Sequence, residues 1–250
     1  MTRIISIVNH KGGVGKTTST VNIGAALSKF HKQRVLLVDL DAQANLTSSL
    51  GLSTHDDEIG IYHALTGRST LHIMNVESRM DIIPANILLS KAEKELNDET
   101  GREYILKELL EKVKDDYDYI ILDCPPSMGV LTLNALTAST DIFIPLEPEF
   151  LSLRGLNNIL RVVQLVQQRI NQDVDITGVF LTRYDTRTSL HKNALEIANK
   201  HFGEKVFKTK IRRNIALAEA PSFGTHIFGH NPQCIGAEDY KALTQEIIQQ

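Results

Sequence analysis

Two lysines, two threonines and three carboxylates have the types and spacing that chemistry on a phosphate needs. Between Ile4 and Thr18 the chain reads IISIVNHKGGVGKTT, an apolar run followed by a glycine loop. Gly12, Gly13 and Gly15 fall within four residues, Val14 lies among them, and Lys16, Thr17 and Thr18 follow at once. Glycines free such a loop to turn successive N–H groups toward one cluster of oxygens. Lys16 adds a full positive charge, and the Thr17 hydroxyl is a ligand for Mg²⁺. The strict pattern of these loops has glycine at position 10; here the residue is His10, and a second lysine, Lys11, stands just inside the loop. Asp39 and Asp41 follow the run RVLLV at 34–38, and Asp123 follows YIIL at 119–122. A lone Asp in such a place is more often a helix cap or turn residue. Beside a glycine loop, Asp123 reads instead as a carboxylate that holds Mg²⁺ through a water while Thr17 binds it directly. The chemistry implied is that of a nucleoside triphosphate.

The elements that must position these residues follow from apolar patterning. Short apolar runs without alternation fit parallel strands covered on both faces. They fall near 4–8, 34–38, 80–83, 119–122, 141–145 and 176–181, with a shorter one at 206–207. Helical spacing is expected over 19–29, 102–114, 153–171, 190–202 and 235–250. The stripe of the 153–171 helix is Leu156, Ile159, Leu160, Val163 and Val166, and residues 40–60, with acids at 56–58, read as loop. Strands separated by helices imply an α/β fold with a doubly wound, mostly parallel sheet flanked by helices. No repeat or linker divides the chain, so one domain over 1–250 is expected.

Composition bounds the rest. The 250 residues are 42% hydrophobic and 23% charged, in the range of water-soluble folds. No run approaches the ~20 apolar residues of a membrane span. The N-terminus runs straight into the first strand, which leaves no room for a signal peptide and points to the cytoplasm. Cys124 and Cys234 suggest neither a disulfide framework nor a metal cluster, and Cys124 reads as a small buried residue. The net charge of −3 is unevenly spread, with nine Lys/Arg against three Asp/Glu between Arg183 and Arg213. A basic footprint on an acidic body suits electrostatic docking to a polyanion, with a solvated face as the plain alternative.

The form KGGVGKTT is the deviant Walker A box of the ParA/MinD superfamily of P-loop NTPases, which the chain resembles from end to end. DLDAQAN at 39–45, DCPPS at 123–127 and RRNIALAEAPSFG at 212–224 narrow the resemblance to the ParA/Soj partition ATPases. The resemblance implies ATP or ADP with Mg²⁺, bound by residues 11–18 and Asp123, with Thr17, Asp39 and Asp123 contributing to the metal shell. It implies hydrolysis in which Lys16 acts in cis, Asp41 positions the attacking water, and Lys11 reaches the nucleotide of a second copy. It further implies an ATP-dependent homodimer on nonspecific double-stranded DNA, stimulated by a ParB-like partner at the nucleoid. Asn214 matches the residue that reads the adenine edge. Where relatives carry proline beside it this chain has Arg212, which either stacks on the base or points to solvent. Arg187 matches the family's basic position for DNA, with Arg183, Lys192, Arg212 and Arg213 as companions, whereas Ala216 stands where relatives carry a basic residue. Other functions compete. A MinD-like membrane tail needs a basic amphipathic end, and the end here holds one lysine against three acids. A nitrogenase-iron-protein-like reductase needs cluster cysteines that two unmatched ones do not supply. A ParA-like ATPase that positions a non-chromosomal cargo stays open.

Overall fold

In the computed structural model, which describes residues 1–55, 57–150 and 153–250, the glycine loop leaves the middle of a sheet. In chain order the elements are β1 (Arg3–Ile7), α1 (Lys16–His31), β2 (Val35–Asp39), α2 (Asn45–Ser49), α3 (Ile61–Leu65), β3 (Met74–Glu77) and β4 (Met80–Ile83). There follow α4 (Leu89–Glu95), α5 (Ile105–Leu110), β5 (Tyr119–Asp123), α6 (Val130–Ala138), β6 (Asp141–Leu146), α7 (Leu153–Arg169) and β7 (Asp175–Leu181). The chain then forms α8 (Ser189–Phe202), α9 (Ala216–Glu219), α10 (Ile227–His230) and α11 (Ile235–Gln249).

The sheet runs β3-β4-β2-β5-β1-β6-β7, parallel throughout except for the edge hairpin of β3 and β4. This is the doubly wound, mostly parallel sheet that the patterning implies. Its strands are apolar on both faces because helices cover both. Ile4, Leu36, Val38, Ile120 and Leu122 face a core shared with α3 to α8. Ile5, Ile7, Leu37, Ile121 and Phe143 face the other, built with α1, α10 and α11. Register brings the carboxylates to one end of the sheet, since Asp123 of β5 lies opposite Ile7 of β1 on one side and Asp39 of β2 on the other. Three strand ends therefore meet beneath the loop that follows β1.

Several expectations shift. The first helix begins at Lys16 rather than residue 19, so Lys16 and Thr17 sit in its first turn. The helix expected over 102–114 is confined to α5, because the segment after it turns into a short 3-10 stretch, Lys114–Asp116. The 206–207 strand is a single bridge between Val206 and Val179. The 40–60 stretch holds α2, and β3 escaped the patterning because its MNVE is only half buried at the sheet edge. Asp56 and the Leu156 side chain lie outside the described residues. Ile159, Val163 and Val166 of the α7 stripe are buried. Among the described residues no helix is long and apolar enough to cross a membrane. The apolar side of α11, with Ala237, Tyr240, Leu243 and Ile247, is spent on the core against α1.

Candidate active site

The loop after β1 is fastened by its neighbours before any ligand is considered. Asn9 Nδ2 donates to the Pro145 carbonyl at 2.7 Å, and Asn9 Oδ1 accepts from the Lys11 N–H. Thr182 Oγ1, just past β7, donates to the Val14 carbonyl at 2.8 Å. Gly13 and Gly15 take φ of +78° and +92°, a region that a Cβ disfavours. The loop then enters α1, a 16-residue helix with no side chain capping its N-terminus. Its first N–H groups and its dipole point into the cleft, an arrangement that favours an anion.

The cleft encloses about 840 Å³ and is lined by residues 12–18, Asp41, Gln43, Asn45, Pro126, Glu147, Glu149, Thr182 and the segment 211–215. Its volume lies in the range of small-molecule sites. Lys16 is almost fully buried, its Nζ donating to the Lys11 carbonyl at 3.1 Å. Burial pushes the lysine below its ordinary pKa, against the pull of Asp123. At the floor Thr17 Oγ1 donates to Asp123 Oδ2 at 2.6 Å, and Thr20 Oγ1 to Oδ1 at 3.4 Å. Asp123 is wholly buried. Its carboxyl is pushed up first by that burial and then by Asp39 alongside, with the Thr17 hydrogen bond and Lys16 opposing.

Asp39 is buried as deeply, and burial raises it to about 6 despite its donors. Its Oδ1 accepts from the Asp41 N–H at 3.1 Å, and its Oδ2 from the N–H and hydroxyl of Thr47 at 2.9 and 2.7 Å. Asp39 thereby sits behind Asp123 and ties down the turn that carries Asp41. Asp41 itself lies at the cleft wall, its Oδ1 accepting from Gln43 N–H. Cys124 is buried and its thiol pushed up, an inert neighbour.

Two carboxylates raised by burial, Asp123 further by Asp39 alongside it, lie beside a threonine hydroxyl and fit a hard divalent cation. Among the described residues no group of three or more His, Cys, Asp or Glu is disposed to hold a metal by itself. That suits Mg²⁺, which takes one or two carboxylates and completes its shell with phosphate oxygens and water. At the far wall the Asn214 Oδ1 is buried without a hydrogen-bond partner, an acceptor fitted to a ligand's N–H.

Arg212 lines the cleft wall and stays partly exposed. Its guanidinium is gripped by Asp239, at 2.6 Å from Nη2, and by Glu238 at 2.7 Å, so it anchors the 211–214 segment on α11. A parallel bridge between Tyr184 and Arg212 brings the stretch that carries Arg183 alongside the 211–213 segment. Much of the charge on the basic residues is already matched. Arg187 pairs with Asp185 at 2.7 Å, and Arg183 with Glu147 at 2.8 Å. Lys192 and Arg213 are exposed, and Ala216 is buried. Glu147 and Glu149 went unnoticed in the sequence, although Glu147 closes an apolar strand just as Asp39 and Asp123 do.

A family model described as an AAA domain matches residues 2–176. The chain is 48% identical over 251 residues to the sporulation initiation inhibitor protein Soj of Bacillus subtilis (strain 168), covering 99% of this chain and 98% of that one. It is 46% identical to the chromosome-partitioning ATPase Soj of Treponema pallidum, with 99% and 98% covered. Among solved structures it resembles the cobyrinic acid a,c-diamide synthase of Mycobacterium smegmatis with bound ATP analog and magnesium. That match has a TM-score of 0.88 at 37% identity and covers 100% of this chain and 95% of that one.

Proposed function

The chain belongs to the ParA/MinD family of partition ATPases, and from that membership we propose that it is an ATP-driven DNA-segregation protein working as a dimer. The observation that carries the reading is the convergence of Thr17 and buried Asp123 beneath a cleft walled by residues 12–18, Asp41 and Asn214. A chromosome-partitioning ATPase is also among the relatives, at 46% identity, above the diamide synthase at 37%.

The loop N–H groups and Lys16 receive the triphosphate oxygens, and the N-terminus of α1 adds its dipole. Thr17 and Asp123 are the residues that hold Mg²⁺, with Asp39 as the charge behind them; when bound, the ion neutralises charge that develops on the phosphates. Asp41 orients the water that attacks the γ-phosphate. Lys11 stabilises the same charge in the partner's site, as an arginine finger does. Asn214 offers its unpartnered oxygen to the base, and Arg212 holds the segment that carries it. Arg183, Arg187, Lys192 and Arg213 form a face toward DNA phosphates, with Arg212 beneath it, giving docking with little sequence selectivity. The protein works in the cytoplasm on the nucleoid, and a ParB-like partner accelerates hydrolysis and release. A membrane-tethered role is disfavoured because the apolar side of α11 is buried in the core.

Retention on random-sequence DNA with Mg-ATP tests this face. With ~4 phosphates touched, log K falls against log salt with a slope near −3.6. Arg187→Glu is expected to abolish retention, and binding that persists unchanged, or that ignores ATP, refutes the assignment.

A further inference from the structure

Glu147 follows β6 at the catalytic end of the sheet and is only 4% exposed. Its two oxygens face different cations. Lys11 Nζ lies 3.5 Å from Oε2, and Arg183 Nη1 lies 2.8 Å from Oε1. The lysine belongs to the phosphate loop. The arginine stands at the end of β7 with φ of +50°, where the basic edge begins. A carboxylate this dry is costly unless a cation stays with it.

We propose that Glu147 is a positioning residue that retains Lys11 within its own protomer and is shared with Arg183, so that Arg183 sets how easily Lys11 crosses to a partner's triphosphate. The inference rests on the reading of Lys11 given above. When Lys11 leaves, Glu147 remains charged and buried, and the closer cation, Arg183, keeps it satisfied. Without Arg183, departure of Lys11 strands a bare carboxylate. Without the charge at 147, the ion pair that opposes departure is lost. The Lys11 side chain is one third exposed, which places its hold on Glu147 between a surface pair and a buried one.

The test is ATP-driven dimerisation of the full chain, followed by sedimentation velocity as Mg-ATP is titrated. Glu147→Gln keeps shape and removes charge, and half-maximal dimer is expected at about fivefold lower ATP, the worth of a partly buried ion pair. Arg183→Gln is expected to move it about as far in the opposite direction. Loss of packing would shift both variants upward, so opposite signs mark the positioning role. Equal shifts, or none, overturn it. Should Glu147→Gln fail to fold, Arg183→Gln is read against Arg183→Lys, which keeps the cation: a higher ATP requirement in the first and not in the second supports the proposal, and any other pattern sinks it. A wild-type chain that stays monomeric at saturating Mg-ATP removes the Lys11 reading itself; a wild type that dimerises with unshifted variants removes only Glu147.

Discussion

Thr47→Val probes the tether beneath the site. Thr47 is fully buried, its hydroxyl donates to Asp39 Oδ2 at 2.7 Å, and Thr47 Oγ1 in turn accepts from the Ala85 N–H at 3.0 Å. Valine keeps the shape and deletes both bonds. Loss of a hydrogen bond to a charged acceptor costs about 2 kcal/mol, and the orphaned Ala85 N–H about 2 more, so about 4 kcal/mol is expected at pH 7.5. The penalty depends on pH. With a folded-state pKa of about 6, above the ordinary 3.8, Asp39 favours folding at low pH, and that contribution is lost as pH rises through 6. In the wild type this group alone costs about 3 kcal/mol between pH 4 and 7, from roughly two pKa units. Removing a donor to the charged form raises Asp39 further, so the variant loses more than the wild type above pH 6. At pH 5 the carboxyl is largely protonated in both, and only the orphaned N–H remains, about 2 kcal/mol. Urea unfolding of nucleotide-free protein in EDTA at pH 5.0 and 7.5 reads both numbers, with Thr47→Ser as the control that restores them. A penalty equal at the two pH values, or larger at pH 5, refutes the claim that Asp39 is held as a charged acceptor.

Three further outcomes are expected. Asp141→Asn tests the ion pair with Arg3 at 2.6 Å: burial raises Asp141, but hydrogen bonds from Arg3, Thr140 and Thr177 outweigh it and leave the carboxyl below its ordinary range. Its stabilisation is therefore present above pH 4 and lost as pH falls, so the variant should lose about 2 kcal/mol at pH 7 and show a flatter acid decline in urea melts. Gly178→Ala places a Cβ 2.5 Å from Phe207 Cε2 and 2.6 Å from Phe143 Cδ1, both in the core. Thermal unfolding should show about 2 kcal/mol lost, or about 6 °C, and an unchanged melt would mean the rings yield freely. Asn214→Ala should weaken ATP binding about tenfold by calorimetry, narrow the preference over GTP, and leave unfolding unchanged, because its Oδ1 has no partner to lose.

What the sequence disclosed depended on how local the physics was. The loop at 12–18 was legible because its chemistry is written in adjacent residues, and β1, β4 and β6 because buried parallel strands are apolar without interruption. The pairing of Asp39 with Asp123 depends on strand register, which no local pattern encodes. Helix α2 was hidden because NLTSS has poor helix formers, and Thr47 is held there by Asp39 from another element. Charge counting along a window leaves out pairing from elsewhere in the chain, since the acids that match Arg183 and Arg212 are Glu147, Glu238 and Asp239, all outside it.

The most direct test of the central claim, that two copies share their sites, mixes two inactive variants. On the proposed roles, Lys11→Ala lacks the lysine given to a partner but keeps Asp41, while Asp41→Ala lacks its own water-positioning group but keeps Lys11. In a mixed dimer one site holds both groups. Equimolar mixing with Mg-ATP and DNA is therefore expected to restore phosphate release to about a quarter of the wild-type rate. A mixture no faster than either variant alone would contradict transfer of Lys11 between copies, and with it the account of this site.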